Sequence, residues 1–490
     1  MSSNVDPLHW FLPSIPNASQ PYTSNNKVDP LIDGQAYMKH LNDNIVKMGS
    51  SDYFHMCGWQ VTSGQKLLGV TSNGPSFLDQ IKNLIELGTT VRALLWMWNV
   101  PDNPVFVTGI NTLNLPNGKA ILDERLLKLS LTNPTVSSHH QKAVVLSSDG
   151  EHWAYVGGID IAFDRWDTTE HNNPPGRKRH LFDAWHDVHC VIRGPAVLDI
   201  WNNFKDRWND PNKPNMVQTT PDPIPVSTSP QITFNSGNHH VQVLRTLCCK
   251  NVYPFNPGGE QSVRLAYEKA IDAAQHYIYI EDQYLWPCTI TERLRNAADR
   301  GVKIILVLAH EFDVSFLKPW HNQMRYESLE TIGNTRSENV FAYHLRQSQP
   351  PFSDIYVHSK VMIIDDRYAA IGSANINNRS TTNDSELHVA IIDSNTIQSP
   401  LDGVNDTICV FAKNLRLRLW EEHLGVSANA LNDPFIAINT IWPDGNTSTP
   451  SSPNKRHHVV CHHVPEPRYD WVTWPIDIRN DLMDPKTNCP

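Results

Sequence analysis

Two histidine–x–lysine triplets are the residues of this chain best suited to chemistry. His140 and Lys142 form the first triplet, and His358 and Lys360 form the second. Residues i and i+2 of a strand point to the same side, so each histidine can share a pocket with its lysine. Imidazole exchanges protons near neutral pH, and an ammonium group attracts anions. The two triplets therefore predict a catalytic site that acts on an anion.

A glycine turn follows each triplet. The first is Gly157-Gly-Ile-Asp160, and the second is Gly372-Ser-Ala-Asn375. Such turns bring backbone donors and an amide side chain close to a bound anion. We therefore expect Gly158, Ser373 and Asn375 to contact it. A single histidine near a strand end is more often a structural residue, but two in corresponding contexts favour catalysis.

The elements that would carry these triplets are predicted twice, in the same order. Each copy has a strand, a helix that ends on glycine and a second, buried strand. The segments are 53–59, 77–87 and 91–96 in the first copy and 277–284, 290–300 and 302–308 in the second. The offsets between matching landmarks are nearly constant: 213 residues for Gly88 and Gly301, 218 for His140 and His358, and 215 for Gly157 and Gly372. This regularity indicates a duplicated α/β unit.

The duplication divides the chain into two lobes and three connecting or flanking segments. We predict the first lobe at residues 51–209 and the second at 236–425. Residues 210–235 are rich in Pro, Thr, Ser and Asn and are predicted to link the lobes. Residues 1–50 and 426–490 lack strong periodicity and are predicted to be extensions, partly irregular.

Composition limits the partners and the compartment. The net charge of −10 disfavours a nucleic-acid substrate. The longest apolar run, near Val302–Ala309, is far shorter than the roughly 18 residues that cross a bilayer. No secretory signal is visible at the start of the chain. Eight cysteines do not suggest a disulfide scaffold. We therefore expect free thiols and a cytoplasmic or peripheral membrane protein.

Several segments resemble one known family. His358–Asp365 is the complete HxKxxxxD signature of the phospholipase D superfamily, and the chain is similar to this family over about residues 50–425. The segments 157–168, 185–190 and 280–284 also resemble family segments. The resemblance implies an α/β fold of two similar lobes, each a mixed β-sheet flanked by helices. It also implies that the lobes are related by a pseudo-twofold axis and share one active site between them.

The resemblance implies that the anion is a phosphodiester. Lys142, Lys360 and Asn375 would neutralise its non-bridging oxygens. One histidine would attack phosphorus and form a phosphohistidine, and the other would protonate the leaving oxygen. By resemblance His140 is the nucleophile and His358 the general acid and base, although the residues alone do not decide the order. We expect that the chemistry needs no metal or cofactor, whereas activation by a divalent cation is left open.

Each imidazole is expected to be oriented by a carboxylate on its other nitrogen. We predict Asp187 as the partner of His140 and Glu386 as the partner of His358. The alternative is that both carboxylates form ion pairs that only stabilise the lobes.

The first motif departs from the family pattern at its last position. Ser147 stands where the signature has aspartate, whereas Asp365 is present in the second motif. This position lies beyond the reacting atoms, so we expect Asp365 to brace neighbouring backbone and Ser147 to do so more weakly. The alternative is an inactive first half.

Among phosphodiesters, a glycerophospholipid such as phosphatidylcholine is the expected substrate. The fused lobes, the phospholipase-like segments and the acidic charge all favour it, with hydrolysis and transphosphatidylation both open. The alternatives are a phosphatidyl transferase or synthase, a nuclease, and a weakened lipid-binding protein whose only support is Ser147.

Two further sequence features bear on partners. Apolar loops at 10–12 and 316–320 could touch a bilayer, although such residues more often pack under their own loop. The cluster at 457–463 holds four histidines and Cys461, but its spacing fits no structural zinc pattern, and we expect surface histidines. We expect a monomer that acts on phospholipid at a membrane surface.

Overall fold

Two mixed β-sheets flanked by helices form the framework of the protein, as seen in a computed structural model. The structure describes residues 5–16, 18–97, 100–124, 137–172, 184–210, 222–249, 253–312, 318–333, 338–347, 353–442, 457–461 and 484.

The strands are numbered along the chain. They are β1 Thr23–Ile32, β2 Tyr53–Gly58, β3 Thr90–Trp96, β4 Gly118–Asp123, β5 Ala143–Ser148, β6 Glu151–Gly157, β7 Ala184–His186, β8 Val188–Arg193, β9 His239–Leu247, β10 Glu260–Gln261, β11 Tyr277–Asp282, β12 Lys303–Leu308, β13 Val340–Gln347, β14 Asp354–Val357, β15 Val361–Ile364, β16 Tyr368–Gly372, β17 Glu386–Asp393, β18 Thr396–Leu401, β19 Val404–Cys409 and β20 His457–Cys461.

The helices are numbered in the same way. They are α1 Pro7–Trp10, α2 Asp33–Ile45, α3 Phe77–Leu87, α4 Asp102–Asn111, α5 Ala196–Asn209, α6 Ser262–Ala273, α7 Thr289–Asp299, α8 Lys318–Ile332, α9 Asn378–Thr382, α10 Val410–Leu424 and α11 Pro434–Thr440.

Strands that correspond along the chain occupy the same positions in both sheets. The strand order is β4-β3-β2-β5-β6-β8-β1 in the first sheet and β13-β12-β11-β15-β16-β17-β9 in the second. In each sheet the first three strands are parallel, and the remaining neighbours are antiparallel. The mixed α/β fold is confirmed, and the repeated order agrees with a duplication. The pseudo-twofold axis stays a prediction.

The matching helices of the two copies begin and end as their sequences suggest. The hydroxyl oxygen of Ser76 accepts a hydrogen bond from the N–H of Asp79 at the start of α3. Gly88, with φ of 106°, ends that helix in the left-handed region. In the second copy Gly301, with φ of 92°, follows α7. Both predicted helices are confirmed to within one residue at their ends.

Part of the predicted N-terminal extension belongs to the sheets. Strand β1 pairs with β8, and its first residues pair with β9, so it touches both sheets. Trp10 and Phe11 are buried, and the Trp10 ring stacks on Tyr368 with 5.8 Å between centroids. Residues 23–45 of the predicted extension are therefore regular, and the burial of Trp10 and Phe11 agrees with the expectation that these apolar residues pack within the protein. Trp320 is half-buried against Phe312 and its neighbours, and residues 316–317 lie outside the described part.

The structure describes only part of the predicted C-terminal extension and of the predicted linker. The segment His457–Cys461 forms β20 and pairs with β13, so this part of the C-terminal extension joins the second sheet. The side chains of the histidine cluster lie outside the described residues, as does the middle of the predicted linker. None of the helices in the described ranges combines the length and apolar character needed to span a bilayer.

One cysteine differs from expectation. Cys249 is disulfide-bonded, so the prediction of free thiols is wrong at this position. Its neighbour Cys248 is free and buried.

Candidate active site

The two histidine triplets lie in extended segments directly before strands, not within strands as predicted. His140 precedes β5, and its N–H donates to Ser385 O at 2.9 Å. His358 precedes β15, and its N–H donates to His186 O at 2.8 Å. In addition, β14 and β7 pair in parallel just before His358. Each histidine segment is thus bonded through its backbone to the other lobe.

Each histidine also receives its carboxylate from the other lobe. Nδ1 of His140 lies 3.1 Å from both carboxylate oxygens of Glu386. Nδ1 of His358 lies 2.7 Å from Oδ2 of Asp187. The two carboxylates are those named from the sequence, but the predicted pairing within each lobe is wrong. The partners are exchanged because the backbone bonds join each histidine segment to the carboxylate segment of the opposite lobe.

In both lobes the first glycine of the turn lies close to a histidine ring on the neighbouring strand. A Cβ on Gly157 would lie 2.5 Å from Nδ1 of His189, and a Cβ on Gly372 would lie 2.2 Å from Nδ1 of His388. Only glycine leaves room for these imidazoles. His189 and His388 each stand two residues after the catalytic carboxylate, so the glycines let the carboxylate strands pack against the turns.

Two residues predicted to contact phosphate are engaged with the carboxylates. The N–H of Gly158 donates to Val188 O at 3.0 Å, and a Cβ on this glycine would lie 2.1 Å from Oδ1 of Asp187. The hydroxyl of Ser373 donates to Glu386 at 2.5 Å. Gly158 therefore makes room for one carboxylate and Ser373 holds the other. Their expected contact with phosphate stays a prediction.

Each lysine lies on the same side of the chain as its histidine, as predicted. Nζ of Lys142 donates to His140 O at 3.1 Å and pairs with Asp160 at 3.2 Å. Nζ of Lys360 donates to His358 O and contacts Oε1 of Gln283 at 3.4 Å. Burial is the main cause that lowers the pKa of Lys360 to about 8. Two buried ammonium groups therefore supply positive charge beside the imidazoles.

Asn375 lies in the turn after the second triplet and is almost fully buried. Its side-chain Oδ1 has no hydrogen-bond partner within the described ranges. Ile376, the next residue, donates its N–H to Asp282 at 2.9 Å, which anchors the turn. The contact of Asn375 with phosphate stays a prediction.

The surroundings of both imidazoles favour their neutral form. Burial, followed by the charges of Lys142 and Lys360, holds the pKa of His140 well below its usual value. Burial and Lys360 do the same for His358. Burial also raises the pKa of Glu386 to about 7 and that of Asp187 to about 6. The charge of Lys142 in the first triplet lowers the pKa of His358 as well, so the two halves share one electrostatic environment.

Sequence reasoning missed residues that support this environment. The Arg165 guanidinium lies 3.9 Å from the centre of the Trp185 ring, and that ring lies 4.9 Å from the His358 ring. The edge of Trp59 faces His140, with 6.3 Å between ring centroids. Arg165 and Trp185 stand in the family-like segments, so these segments carried the available signal. Nothing in the sequence marked Trp59.

Ser147 and Asp365, the last residues of the two motifs, accept backbone hydrogen bonds at the starts of the equivalent strands β2 and β11. The Asp365 carboxylate accepts the N–H groups of Gln275, His276 and Tyr277, at 2.7–2.9 Å. The predicted backbone brace is confirmed. In the first lobe, Ser147 Oγ accepts the N–H of Tyr53 at 3.1 Å.

Ser147 does not act alone. Its hydroxyl donates to Oδ1 of Asp52 at 2.7 Å, and Oδ2 of Asp52 accepts the N–H of Gly49 at 2.8 Å. A serine and a neighbouring carboxylate therefore share the task that Asp365 performs in the second lobe. Asp52 was not identified from the sequence, because it lies far outside the motif.

Comparison with known proteins agrees with this geometry. The family model described as "Phospholipase D" matches residues 177–292, and "Cardiolipin synthase, PLD-like domain" matches residues 267–403. "Phospholipase D A" of Dictyostelium discoideum is 30% identical over 377 residues, covering 62% of this chain and 28% of that protein. "Phospholipase D1" of Schizosaccharomyces pombe is 28% identical over 410 residues, covering 65% of this chain and 30% of that protein.

A crystal structure of phosphatidylserine synthase from Haemophilus influenzae Rd KW20 aligns with a TM-score of 0.47 and 14% identity, covering 76% of this chain and 84% of that one. The chain spans about a third of the length of the first curated relatives that it matches. The family models and these relatives agree with the paired motifs and support the assignment of the chain to the phospholipase D superfamily.

Proposed function

We propose that the chain is a phospholipase D-type phosphodiesterase that converts glycerophospholipids, such as phosphatidylcholine, into phosphatidic acid and the head-group alcohol. The observation that carries this proposal is the exchange of carboxylates between the lobes, which orients His140 and His358 beside two buried lysines. The names of the matched relatives support a phospholipid substrate, and the net charge of −10 disfavours a polynucleotide.

The first step transfers the phosphatidyl group to the enzyme. Because Nδ1 of His140 is held by Glu386, its Nε2 is the nitrogen left to attack phosphorus. The new N–P bond forms as the bond from phosphorus to the head-group oxygen breaks. His358 gives its proton to that oxygen, so the head group leaves as a neutral alcohol. Lys142 and Lys360 neutralise the non-bridging oxygens, with Asn375 as a third contact.

Binding of the substrate raises the pKa of His358, so that His358 can act as an acid. In the free site, burial and Lys360 hold the pKa of His358 well below its usual value. A bound phosphodiester carries a negative charge that offsets the lysines, so it raises the pKa of the nearby imidazole. Proton uptake by His358 is therefore coupled to substrate binding.

The second step releases the product. His358 takes a proton from water or from an alcohol, and the oxygen attacks phosphorus as the bond to His140 breaks. Water gives phosphatidic acid, and an alcohol gives a new phosphatidyl ester. Both acceptors compete for the same intermediate. Phosphatidyl transfer is thus the second candidate function, favoured by the match to the model named for cardiolipin synthase.

The location proposed is the periphery of a membrane, where the substrate lies, and the chain is proposed to act there as a monomer. The Cys249 disulfide favours an oxidising compartment over the reducing cytoplasm expected from the cysteine count.

One panel tests the proposed function. Wild type, His140→Asn and His358→Asn are incubated with phosphatidylcholine vesicles and ethanol, and separately with single-stranded DNA. His240→Asn is the matched control, because this half-buried histidine bonds to Ser24 instead of to the site. Wild type and the control should form phosphatidic acid and phosphatidylethanol, and both active-site variants should lose at least about 10³-fold in rate.

The other outcomes would contradict the proposal in different ways. Cleavage of DNA alone would indicate a nuclease, and vesicle binding without turnover in wild type would indicate a weakened lipid-binding protein. The bond between Ser147 and Asp52 removes the main sequence argument for that last alternative.

A further inference from the structure

A second group of titratable side chains lies buried behind the segment that carries Asp187. Asp33, His171, His186 and Glu422 come from four separate parts of the chain, and each is at most 3% exposed. Their nearest nitrogen and oxygen atoms all lie within 4.8 Å of one another. We call these four residues the buried cluster. The proposed phosphodiester chemistry uses none of them.

The spacing of the cluster atoms suits metal ligation. Nδ1 of His186 lies 2.8 Å from Oε1 of Glu422 and 3.2 Å from Oδ1 of Asp33. Nε2 of His171 lies 3.2 Å from Oε1 of Glu422 and 3.7 Å from Oδ2 of Asp33. In a tetrahedral site with bonds of about 2.0–2.1 Å, ligand atoms stand roughly 3.3 Å apart. The observed separations fall on both sides of this value.

Two cluster atoms lack the hydrogen bonds that such burial normally requires. Nδ1 of His186 and Oδ2 of Asp33 are buried and have no hydrogen-bond partner in the described part of the chain. Two carboxylate oxygens, from Asp33 and Glu422, lie within ion-pair distance of this nitrogen. Buried polar atoms are rarely left in this condition. A lone pair directed at an ion between the oxygens would satisfy both atoms.

The other ring nitrogen of each histidine is held as in known metal sites. Nε2 of His186 lies 2.9 Å from Oε2 of Glu281, and Nδ1 of His171 lies 3.2 Å from Oδ2 of Asp167. Metal-ligating histidines usually place their second nitrogen on a carboxylate or carbonyl, which fixes the tautomer that ligates. Both cluster histidines meet this condition.

Charge also favours a cation. The ion pairs recorded for Asp33 and Glu422 in the described ranges are with histidines only. With Glu281 and Asp167 on the other ring nitrogens, four buried carboxylates surround the two imidazoles, and this much negative charge in the interior is costly unless cations offset it. One divalent cation would offset part of it. The competing explanation is that both imidazoles are protonated.

We propose that the buried cluster binds one divalent transition-metal ion, with Zn²⁺ the best fit, through two nitrogens and two oxygens. The site would hold α2, β7 and α10 together at one point. The N–H of Asp33 donates to Asp187 O at 2.8 Å, and the N–H of Asp187 donates to Oδ1 of Asp33 at 3.2 Å. The ion would thereby fix the segment that presents Asp187 to His358, without taking part in the reaction.

Metal content of the full chain tests this inference independently of activity. The protein is purified without metal-affinity chromatography or chelators and measured by elemental mass spectrometry. We expect close to one Zn²⁺ per chain, and X-ray absorption should show two nitrogen and two oxygen ligands at about 2.0–2.1 Å. Chelated protein titrated with Zn²⁺ alone should regain one equivalent and a higher unfolding temperature.

Conservative variants locate the ion. Asp33→Asn and Glu422→Gln keep the side-chain shape and should lower the affinity for Zn²⁺ at least about tenfold. Asp354→Asn is the matched control, because Asp354 belongs to a separate group with His310 and His344 in which only His344 is buried. A double variant, His462→Ala with His463→Ala, controls for the tail histidines. Both controls should keep the ion.

Several results would overturn the inference. Wild type that carries no metal, does not bind added Zn²⁺ and unfolds at the same temperature with and without chelator would indicate a protonated histidine network. Loss of the ion in either control variant, with retention in both cluster variants, would place it elsewhere. If the cluster variants do not fold, the absorption spectrum and the Zn²⁺ titration of wild type still decide the question.

Discussion

The last residues of the first and second motifs both hydrogen-bond to the backbone at the start of a strand, but they are different residues. In the second lobe the single carboxylate of Asp365 accepts three backbone N–H groups at the start of β11. In the first lobe Ser147 accepts one N–H at the start of β2, and its hydroxyl donates a hydrogen bond to Asp52. The equivalent strand start is therefore held in both lobes. An incomplete motif does not imply an unsupported site.

The lysines differ in the same way. Lys142 pairs with Asp160, whereas Lys360 contacts the neutral amide of Gln283. Lys360 also has its pKa lowered to about 8, mainly by burial. Lys142 is thus neutralised by a direct ion pair, whereas Asp187 and Asp282 act on Lys360 through their charge. The duplication has preserved positions more closely than chemical partners.

The largest effect is expected where the lobes exchange carboxylates. Glu386→Gln and Asp187→Asn should each lower kcat at least about 10²-fold, because an amide no longer stabilises the required imidazole form. Glu151→Gln, at a surface ion pair with Arg193, should change kcat less than about twofold. Nitrogen NMR should show that Glu386→Gln shifts the ring resonances of His140 and Asp187→Asn those of His358. The reverse assignment would restore pairing within each lobe.

A pH-dependent difference in stability should follow from Glu386. Burial raises its pKa from 4.5 to about 7 in the folded protein. The folded state then binds more protons than the unfolded state, so this group makes stability fall as pH rises from about 4.5 to about 7. Relative to Glu386→Gln, wild type should lose up to about 3 kcal/mol over that window, measured by urea unfolding. Parallel pH curves for the two proteins would contradict the shifted pKa.

The two strand braces should differ in strength. Asp365→Ala leaves the three N–H groups of Gln275, His276 and Tyr277 without their carboxylate acceptor and should cost about 3 kcal/mol. Ser147→Ala removes one acceptor and should cost about 1 kcal/mol. Chemical unfolding of both variants beside wild type measures the difference. Equal costs would mean that the two braces are equivalent after all.

The smallest effect is expected when Ser147 of the first motif is replaced by the aspartate that the second motif carries. Ser147→Asp places a second carboxylate beside Asp52 and should lower stability by about 1 kcal/mol through repulsion and the lost hydrogen bond. Adding Asp52→Ser should restore it, because the first lobe then resembles the second. Stability and substrate preference are measured together. A change in preference would show that this position does more than brace the backbone.

The sequence was sufficient for the features that lie close together along the chain. The triplets, the turns and Asp365 were identifiable because they form short motifs with a fixed local spacing. The pairing of Asp187 with His358 was not, because it depends on how β7 meets β14 across the lobes. The membership of β1 in the sheets was also missed, because its alternation is interrupted by polar residues and Pro30.

The buried cluster was beyond sequence reasoning for a related reason. Asp33 and Glu422 are separated by most of the chain, and neither belongs to a short motif. Their proximity arises only when α2 and α10 pack near β7. Likewise, Asp52 became recognisable as the partner of Ser147 only through their contact in space.

The most direct test of the exchanged-carboxylate site is to trap and map the covalent intermediate. Wild type, His140→Asn and His358→Asn are quenched during turnover of a labelled phosphatidylcholine and analysed by peptide mass spectrometry. We predict a phosphatidyl group on His140 in wild type, none in His140→Asn, and a longer-lived adduct on His140 in His358→Asn. A label on His358, or one that persists on His140→Asn, would contradict the assigned roles.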